Sequence, residues 1–205
     1  MAYAKHTLGD ILLSLSYRYG ESAIPSTGID NRKYWINRGV EFCVDQLKMK
    51  KTASVTVVDG TANLSVTTAN PAPDFKSVFQ LRDSSGNEYL LVTEEEYEST
   101  DNPTTARVFC ISGSHKDGYV LKAKNDDTYT LWYRFHISPM TATTDECVVP
   151  DPEAVVAYAY SQLRMSETDP LEDAEKNMDE CRERIAAMAE DLNKNEGDLR
   201  FRTLY

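Results

Sequence analysis

Between Thr128 and Leu163 the hydrophobic period changes from that of a strand to that of a helix, and the change is signposted. Tyr129, Leu131, Tyr133 and Phe135 alternate along Thr128–Ile137, the pattern of a half-buried strand. The run stops at Ser138-Pro139. A polar connector leads to Val148-Val149-Pro150-Asp151-Pro152, and Val155, Val156, Ala159, Tyr160 and Leu163 follow at helical spacing. Asp151 is placed to cap the first free amides of a new helix. Pro152 fits the first turn, where its missing N–H costs nothing. The fold must therefore accommodate strands in the middle of the sequence and helices on both sides of them.

The helical flanks read clearly. Thr7 with Asp10 three residues on is an imperfect capping box, and Leu8, Ile11, Leu12, Leu15 and Tyr19 form one apolar stripe before Gly20. A loop over 23–29 holds Pro25 and Gly28. A second helix is expected from an Asp30 cap to about Met49, with Ile36, Val40, Cys43, Val44 and Leu47 on one face. Lys48, Lys50 and Lys51 suit its C-terminal dipole. After the helix of Pro152–Ser166, Asp169-Pro170 repeats the cap-plus-proline start. Ala174, Met178, Cys181, Ile185, Met188 and Leu192 then recur at a four-three spacing, the signature of packing against other helices. Gly197 stops this helix, and a short tail runs from Leu199 to Tyr205.

From Thr52 the period is two. Val55 and Val57 precede Asp59-Gly60, with Leu64 and Val66 beyond it, which predicts a tight hairpin. A second hairpin is expected from 75–82 and 88–93, and a third from 107–112 and 119–124. Thr128–Ile137 is the final strand. About seven short strands at even spacing predict a small sandwich or open barrel. The acidic run Glu94-Glu95-Glu96-Tyr97-Glu98 reads as one helical turn or as an exposed loop. The expected fold class is α+β: a four-helix bundle with an inserted antiparallel β-sandwich or barrel-like lobe and a short extended C-terminal tail. The segments are 1–51 and 139–197 for the helical domain, 52–138 for the β domain, and 198–205 for the tail. The simplest closure packs the first two helices against the last two.

At 41% hydrophobic and 27% charged residues, the chain has the composition of a globular protein. Its apolar runs are far short of a membrane span. The start, Met1-Ala2-Tyr3-Ala4-Lys5-His6, lacks the apolar core of a signal peptide, so synthesis in the cytoplasm is expected. The net charge of −11 is localised: residues 145–198 hold 16 Asp or Glu against 5 Lys or Arg, and the remainder is balanced at 17 of each. A solvated helix face accounts for this. The same surface would repel nucleic acid, because proteins hold DNA by neutralising phosphates with Lys and Arg. Composition therefore argues against a DNA-gripping module.

Chemistry is sparse. His6, His115 and His136 belong to no metal-binding spacing. Gly113–Gly118 lacks the lysine order and the following helix of a phosphate loop, and no G-x-S-x-G is present. Cys43, Cys110, Cys147 and Cys181 are scattered, form no C-x-x-C pair, and read as buried thiols. No catalytic residue, metal or cofactor is assigned, and the chain is expected not to be an enzyme. Tyr129, Trp132, Tyr133 and Phe135 share one strand. Alternation sets Trp132 opposite the other three, which favours core packing over a sugar-stacking face.

Together these pieces resemble the head-to-tail adaptor (connector or gatekeeper) proteins of tailed bacteriophages. The resemblance rests on Leu8-Gly9-Asp10-Ile11-Leu12, on Trp35-Ile36-Asn37-Arg38-Gly39-Val40-Glu41-Phe42, on an insert ending Trp132-Tyr133-Arg134-Phe135, and on Val149-Pro150-Asp151-Pro152-Glu153-Ala154-Val155-Val156-Ala157-Tyr158-Ala159. A long charged helix and an arginine-containing tail complete it. It implies a non-enzymatic virion protein at the neck between capsid and tail: a commonly dodecameric ring of identical copies that binds the portal and the tail tube or nozzle proteins. DNA passes through it without sequence-specific binding, and no membrane is involved. It implies portal or partner docking by the tail residues Leu199, Arg200, Phe201, Arg202, Leu204 and Tyr205. It also implies channel-facing carboxylates at Glu172, Asp173, Glu175, Asp179, Glu180 and Glu183. The rival reading is a carbohydrate- or receptor-binding tail module using the aromatic strand.

Overall fold

The chain runs through α1 (Leu8–Arg18), α2 (Ile29–Gln46), β1 (Lys51–Thr56), β2 (Thr61–Asn63), β3 (Phe75–Arg82), β4 (Glu88–Leu91), α3 (Glu94–Glu98), β5 (Val108–Ser114), β6 (Gly118–Ala123), β7 (Thr128–Phe135), α4 (Pro152–Met165) and α5 (Leu171–Asn195). The structure is a computed structural model that describes residues 6–65, 69–99, 106–166 and 171–195. It divides into two compact units, one of residues 1–48 with 138–205 and one of residues 49–137.

In the helical unit the caps explain where helices begin. Thr7 Oγ1 accepts from the Asp10 amide at 3.3 Å, and Asp10 Oδ2 accepts from the Thr7 amide at 2.8 Å. The box at α1 is therefore complete, and these bonds hold the Asp10 carboxyl below its usual range. At α2 the cap is Gly28, in the left-handed region at φ 72°, and Asp30 lies inside the first turn. The expected Asp30 cap is thus corrected: the chain turns into the helix two residues earlier, at the glycine, and Asp30 is left to favour the positive end of the dipole. α4 begins as read, with Asp151 Oδ1 accepting from the Glu153 amide at 3.0 Å. Asp169 and Pro170 lie outside the described residues.

α4 is the hub of this unit. Ala154, Val155, Val156, Ala157, Ala159, Ser161 and Leu163 are all buried, so the helix is covered nearly all round, and α1, α2 and α5 each pack on it. Its small side chains allow close approach. At Gly39 of α2, a Cβ would lie 3.1 Å from Tyr158 and 3.2 Å from Val155. Buried Ser161 donates to the Ala174 carbonyl at 2.7 Å and stitches α4 to α5. This replaces the expected four-helix bundle of two facing pairs. α1 has 11 residues against 25 in α5, about 16 Å against 37 Å, so it cannot flank α5 as an equal. A helix that is apolar on most sides takes the centre.

The β unit is a seven-stranded, nearly closed, barrel-like sheet in the order β1-β7-β3-β4-β5-β6-β2. Two of the expected hairpins form, β3–β4 through Leu81↔Tyr89 and β5–β6 through Ile111↔Leu121. The first does not. Asp59 and Gly60 take positive φ (51° and 74°), as a two-residue turn requires, and Val58 bridges Thr61. The flanking strands then diverge, β1 onto β7 and β2 onto β6. The turn joins the two edges of the sheet, and Asp126 holds it by accepting from the Asp59 and Gly60 amides. The expectation of purely antiparallel pairing is also corrected, since β4 and β5 run parallel. A parallel pair needs a crossover, and the acidic run supplies part of it as α3, capped by Thr93 with Glu96 folding back.

Val55, Leu64, Phe75, Leu81, Phe109, Leu121, Tyr129, Leu131, Tyr133 and Phe135 are buried in this unit. The tyrosines keep their hydroxyls satisfied. Tyr129 donates to the Asn125 carbonyl at 2.9 Å and Tyr133 to Asp74 Oδ1 at 3.0 Å, and burial raises both phenols. A smaller apolar cluster of Tyr97, Val108 and Cys110 sets α3 against β5.

Candidate functional site

α5 separates its charges by face. At 100° per residue, the buried Ala174, Cys181, Ile185 and Met188 lie on one side. Glu172, Glu175, Asp179, Glu183 and Glu190 fall within an arc of roughly 80° on the opposite side, and all five are exposed. Asp173 is exposed and approaches Arg164 at 3.8 Å. Asp179 pairs with Arg182 at 3.0 Å. Five of the six carboxylates singled out on α5 thus reach solvent.

The sixth, Glu180, turns toward the helical core. Arg18 binds it bidentately, Nη1 and Nη2 donating at 2.8 Å each, and Arg184 Nε donates at 2.9 Å. These bonds drop the Glu180 carboxyl to about 2. Arg18 also reaches Glu153 at 3.2 Å and Asn177 at 2.6 Å, while Arg184 donates to Asp151 at 2.9 Å. The C-terminal end of α1, the start of α4 and the middle of α5 are therefore tied by one network of three carboxylates and two guanidiniums. Sequence reasoning missed this network. Its signal was Arg18, a cation at the C-terminal end of a short amphipathic helix.

A cleft of about 200 Å³ lies where α1 and α4 begin, lined by His6, Asp10, Ile11, Ser14, Asp151, Pro152, Glu153 and Val156. Its carboxylates are already engaged. Asp10 accepts from Thr7, Asp151 from the Glu153 amide and Arg184, and Glu153 from Ser14 and Arg18. All three carboxylates of the cleft thus serve caps and ion pairs.

The remaining singled-out residues are placed plainly. Cys43, Cys110 and Cys181 are buried and Cys147 is half-buried, all as free thiols. The hydrogen bond that Cys43 donates to Cys181, together with burial, pushes the Cys43 thiol up. His115 and His136 pack with ring centres 4.7 Å apart and planes tilted by 52°, and burial and the neighbouring imidazole lower His136. Among the described residues, no three His, Cys, Asp or Glu side chains gather as a metal-binding group. Likewise, none of their helices is long and apolar enough to cross a membrane. Tyr129, Tyr133 and Phe135 are buried, and Trp132 alone of the aromatic strand stands half-exposed on the other face. Leu199, Arg200, Phe201, Arg202, Leu204 and Tyr205 lie outside the described residues.

What the surface offers is charged and apolar contact area on two separate units. Exposed Tyr17, Tyr34, Val148 and Met165 belong to the helical unit, and exposed Phe79, Leu90 and Leu91 to the β unit. No curated protein matches the chain. A family model described as SU10 adaptor protein matches residues 7–203, which takes in both units. With nearly its whole length inside that match, the chain belongs to the SU10 adaptor protein family, as a structural adaptor of phage.

Proposed function

We propose that this protein is a head-to-tail adaptor: a dodecameric ring at the virion neck that joins the portal to the tail tube or nozzle and lines the DNA exit channel. The family match over 7–203 carries the reading. The physics of the surfaces supports it. Identical copies that bind through two different patches close into a ring when the rotation per copy divides a full turn. The exposed acidic ridge Glu172, Glu175, Asp179 and Glu183, with Asp173 beside it, offers passing DNA no phosphate neutralisation and so lets it slide without being held. Glu180 contributes fixed geometry in place of free charge. The tail residues Leu199, Arg200, Phe201, Arg202, Leu204 and Tyr205 combine apolar anchors with two guanidiniums, the chemistry of a segment that docks into a portal groove. The role is structural, with no reaction and no cofactor.

The test is imaging of purified particles, and of this protein mixed with its portal, with the chain localised by a tag. A ring of copies beneath the portal, abolished when 198–205 is deleted, is the expected result. Particles without this chain at the neck, or a portal that binds it as a single copy, would sink the proposal.

A further inference from the structure

The outer face of β1-β7-β3-β4 carries an unclaimed row of side chains. Thr52 pairs with Trp132 and Trp132 with Gln80, and continuing the Leu81↔Tyr89 register by one step places Leu90 beside Gln80. Ser54, Thr130, Arg82 and Glu88 form the next row. Leu90 is 66% exposed and Phe79 44%, and both lie on strands at this face. The Arg82 guanidinium stands 5.5 Å from the Trp132 ring centre, and Lys50 Nζ lies 3.8 Å over Phe79. Arg134, two residues along from Trp132 and hence on the same face, is exposed. Gln80 Oε1 and Arg82 Nε are buried and find no hydrogen-bond partner among the described residues, even with Glu88 across the strand pair. A half-exposed Trp with flanking Arg and an exposed Leu has the composition of the energetic centre of a protein–protein contact.

We infer that this face docks the acidic turn α3 of a second copy. α3 contributes Glu94, Glu95, Glu96 and Glu98, four of the twelve carboxylates in residues 49–137. Glu94, Glu95 and Glu98 are exposed, and among the described residues Lys122 bridges Glu94 and Glu98, at 2.6 and 3.0 Å. The cationic face is centred on β7 and β3, while α3 follows β4 and packs on β5. One unit therefore carries both halves of a heterologous contact on different strands, which is what chain-like closure requires. Charge complementarity sets the register, and Trp132 and Leu90 supply the buried area. The inference rests on the ring reading and names one of its contacts.

Two charge-reversed proteins test it. One carries Arg82→Glu with Arg134→Glu. The other carries Glu95→Lys with Glu98→Lys, keeping Glu94 on Lys122. Sedimentation velocity at low ionic strength, up to millimolar protein, should show the unaltered chain self-associating and each variant at least about tenfold weaker. An equimolar mixture of the two should recover association, because acidic face then meets basic turn and basic face meets acidic turn. Circular dichroism and melting of each variant, unchanged, exclude unfolding; where melting does change, Leu90→Lys replaces the arginine pair. An unaltered chain that stays monomeric, variants that associate normally, or a mixture that fails to recover would each overturn the contact. Self-association of a chain that combines Arg82→Glu and Arg134→Glu with Glu175→Lys, Asp179→Lys and Glu183→Lys would overturn it too, by making α5 the occupant. Particles that still image with a ring when built from either variant leave the ring reading standing and remove this contact alone. Wild-type particles without a ring remove the ring reading.

Discussion

Replacing Arg18 with Met should loosen α1 from α5 and should do so in a pH-dependent way. Methionine keeps an apolar stem of similar reach and deletes the guanidinium. Glu180 loses its bidentate partner, Glu153 loses a 3.2 Å contact, and Arg184 remains at 2.9 Å. The magnitude follows from linkage. A carboxyl at 4.5 when unfolded and at about 2 when folded corresponds to roughly 3 kcal/mol at neutral pH. The Glu180 side chain is 34% exposed, so solvent screening reduces this to about 1–2 kcal/mol, of which Arg18 carries the larger part. Because the folded value is the depressed one, the stabilisation is fully present above about 4.5 and is lost as pH falls toward about 2. Urea unfolding of both proteins at pH 7 should therefore show the variant weaker by about 1 kcal/mol or somewhat more, and the gap should close progressively between pH 5 and pH 2. Equal midpoints at pH 7, or a gap that does not change over that range, would refute the account of the network.

Other substitutions probe separate parts of the argument. Gly39→Leu should cost about 2–3 kcal/mol by overpacking against Tyr158 and Val155, read as a shift in urea midpoint, whereas Gly39→Ala should be nearly neutral because helix propensity offsets the tight contact. Asp151→Ala removes the α4 cap and the Arg184 partner and should lower stability by about 1–2 kcal/mol in thermal melts. Gly113→Ala would place a Cβ 2.2 Å from the Gly118 carbonyl oxygen at φ 97° and should destabilise the β unit by several kcal/mol, visible as loss of near-ultraviolet dichroism from its tyrosines. Thiol labelling of the native protein should modify Cys147 first, with Cys43, Cys110 and Cys181 reacting only after denaturant is added.

The parts of the fold written in local chemistry were the readable ones. Thr7 with Asp10, Asp151 with Pro152, and the alternation of Tyr129, Leu131, Tyr133 and Phe135 each state a conformation within a few residues. Asp59-Gly60 stated its turn equally well, yet not which strands it would join. That choice depended on β6 and β7, some sixty residues away. The parallel β4–β5 seam was hidden for the same reason: a short acidic turn gives no sign that it crosses over a sheet. The hub role of α4 could be suspected from Ala154, Ala157 and Ala159, but burial on all sides is a property of three neighbours at once. Among the acidic residues, composition identified a face and could not see that Glu180 had rotated off it to meet Arg18. Trp132 was visible, and its partners Gln80, Arg82 and Leu90 were not, because only the register brings them into line.

The placement of α4 also governs the order in which a ribosome can complete this molecule. α1 and α2 emerge with their apolar stripes bare and must wait roughly a hundred residues for the helix that covers them, several seconds or more at ordinary elongation rates. During that interval every residue of 49–137 leaves the exit tunnel, so the β unit can finish while the first two helices are still searching. A nascent chain stalled once residue 137 has cleared the tunnel, with α4 still inside it, should accordingly carry protease-resistant strands and protease-sensitive leading helices, and chaperones that capture exposed leucine and isoleucine should find their hold there.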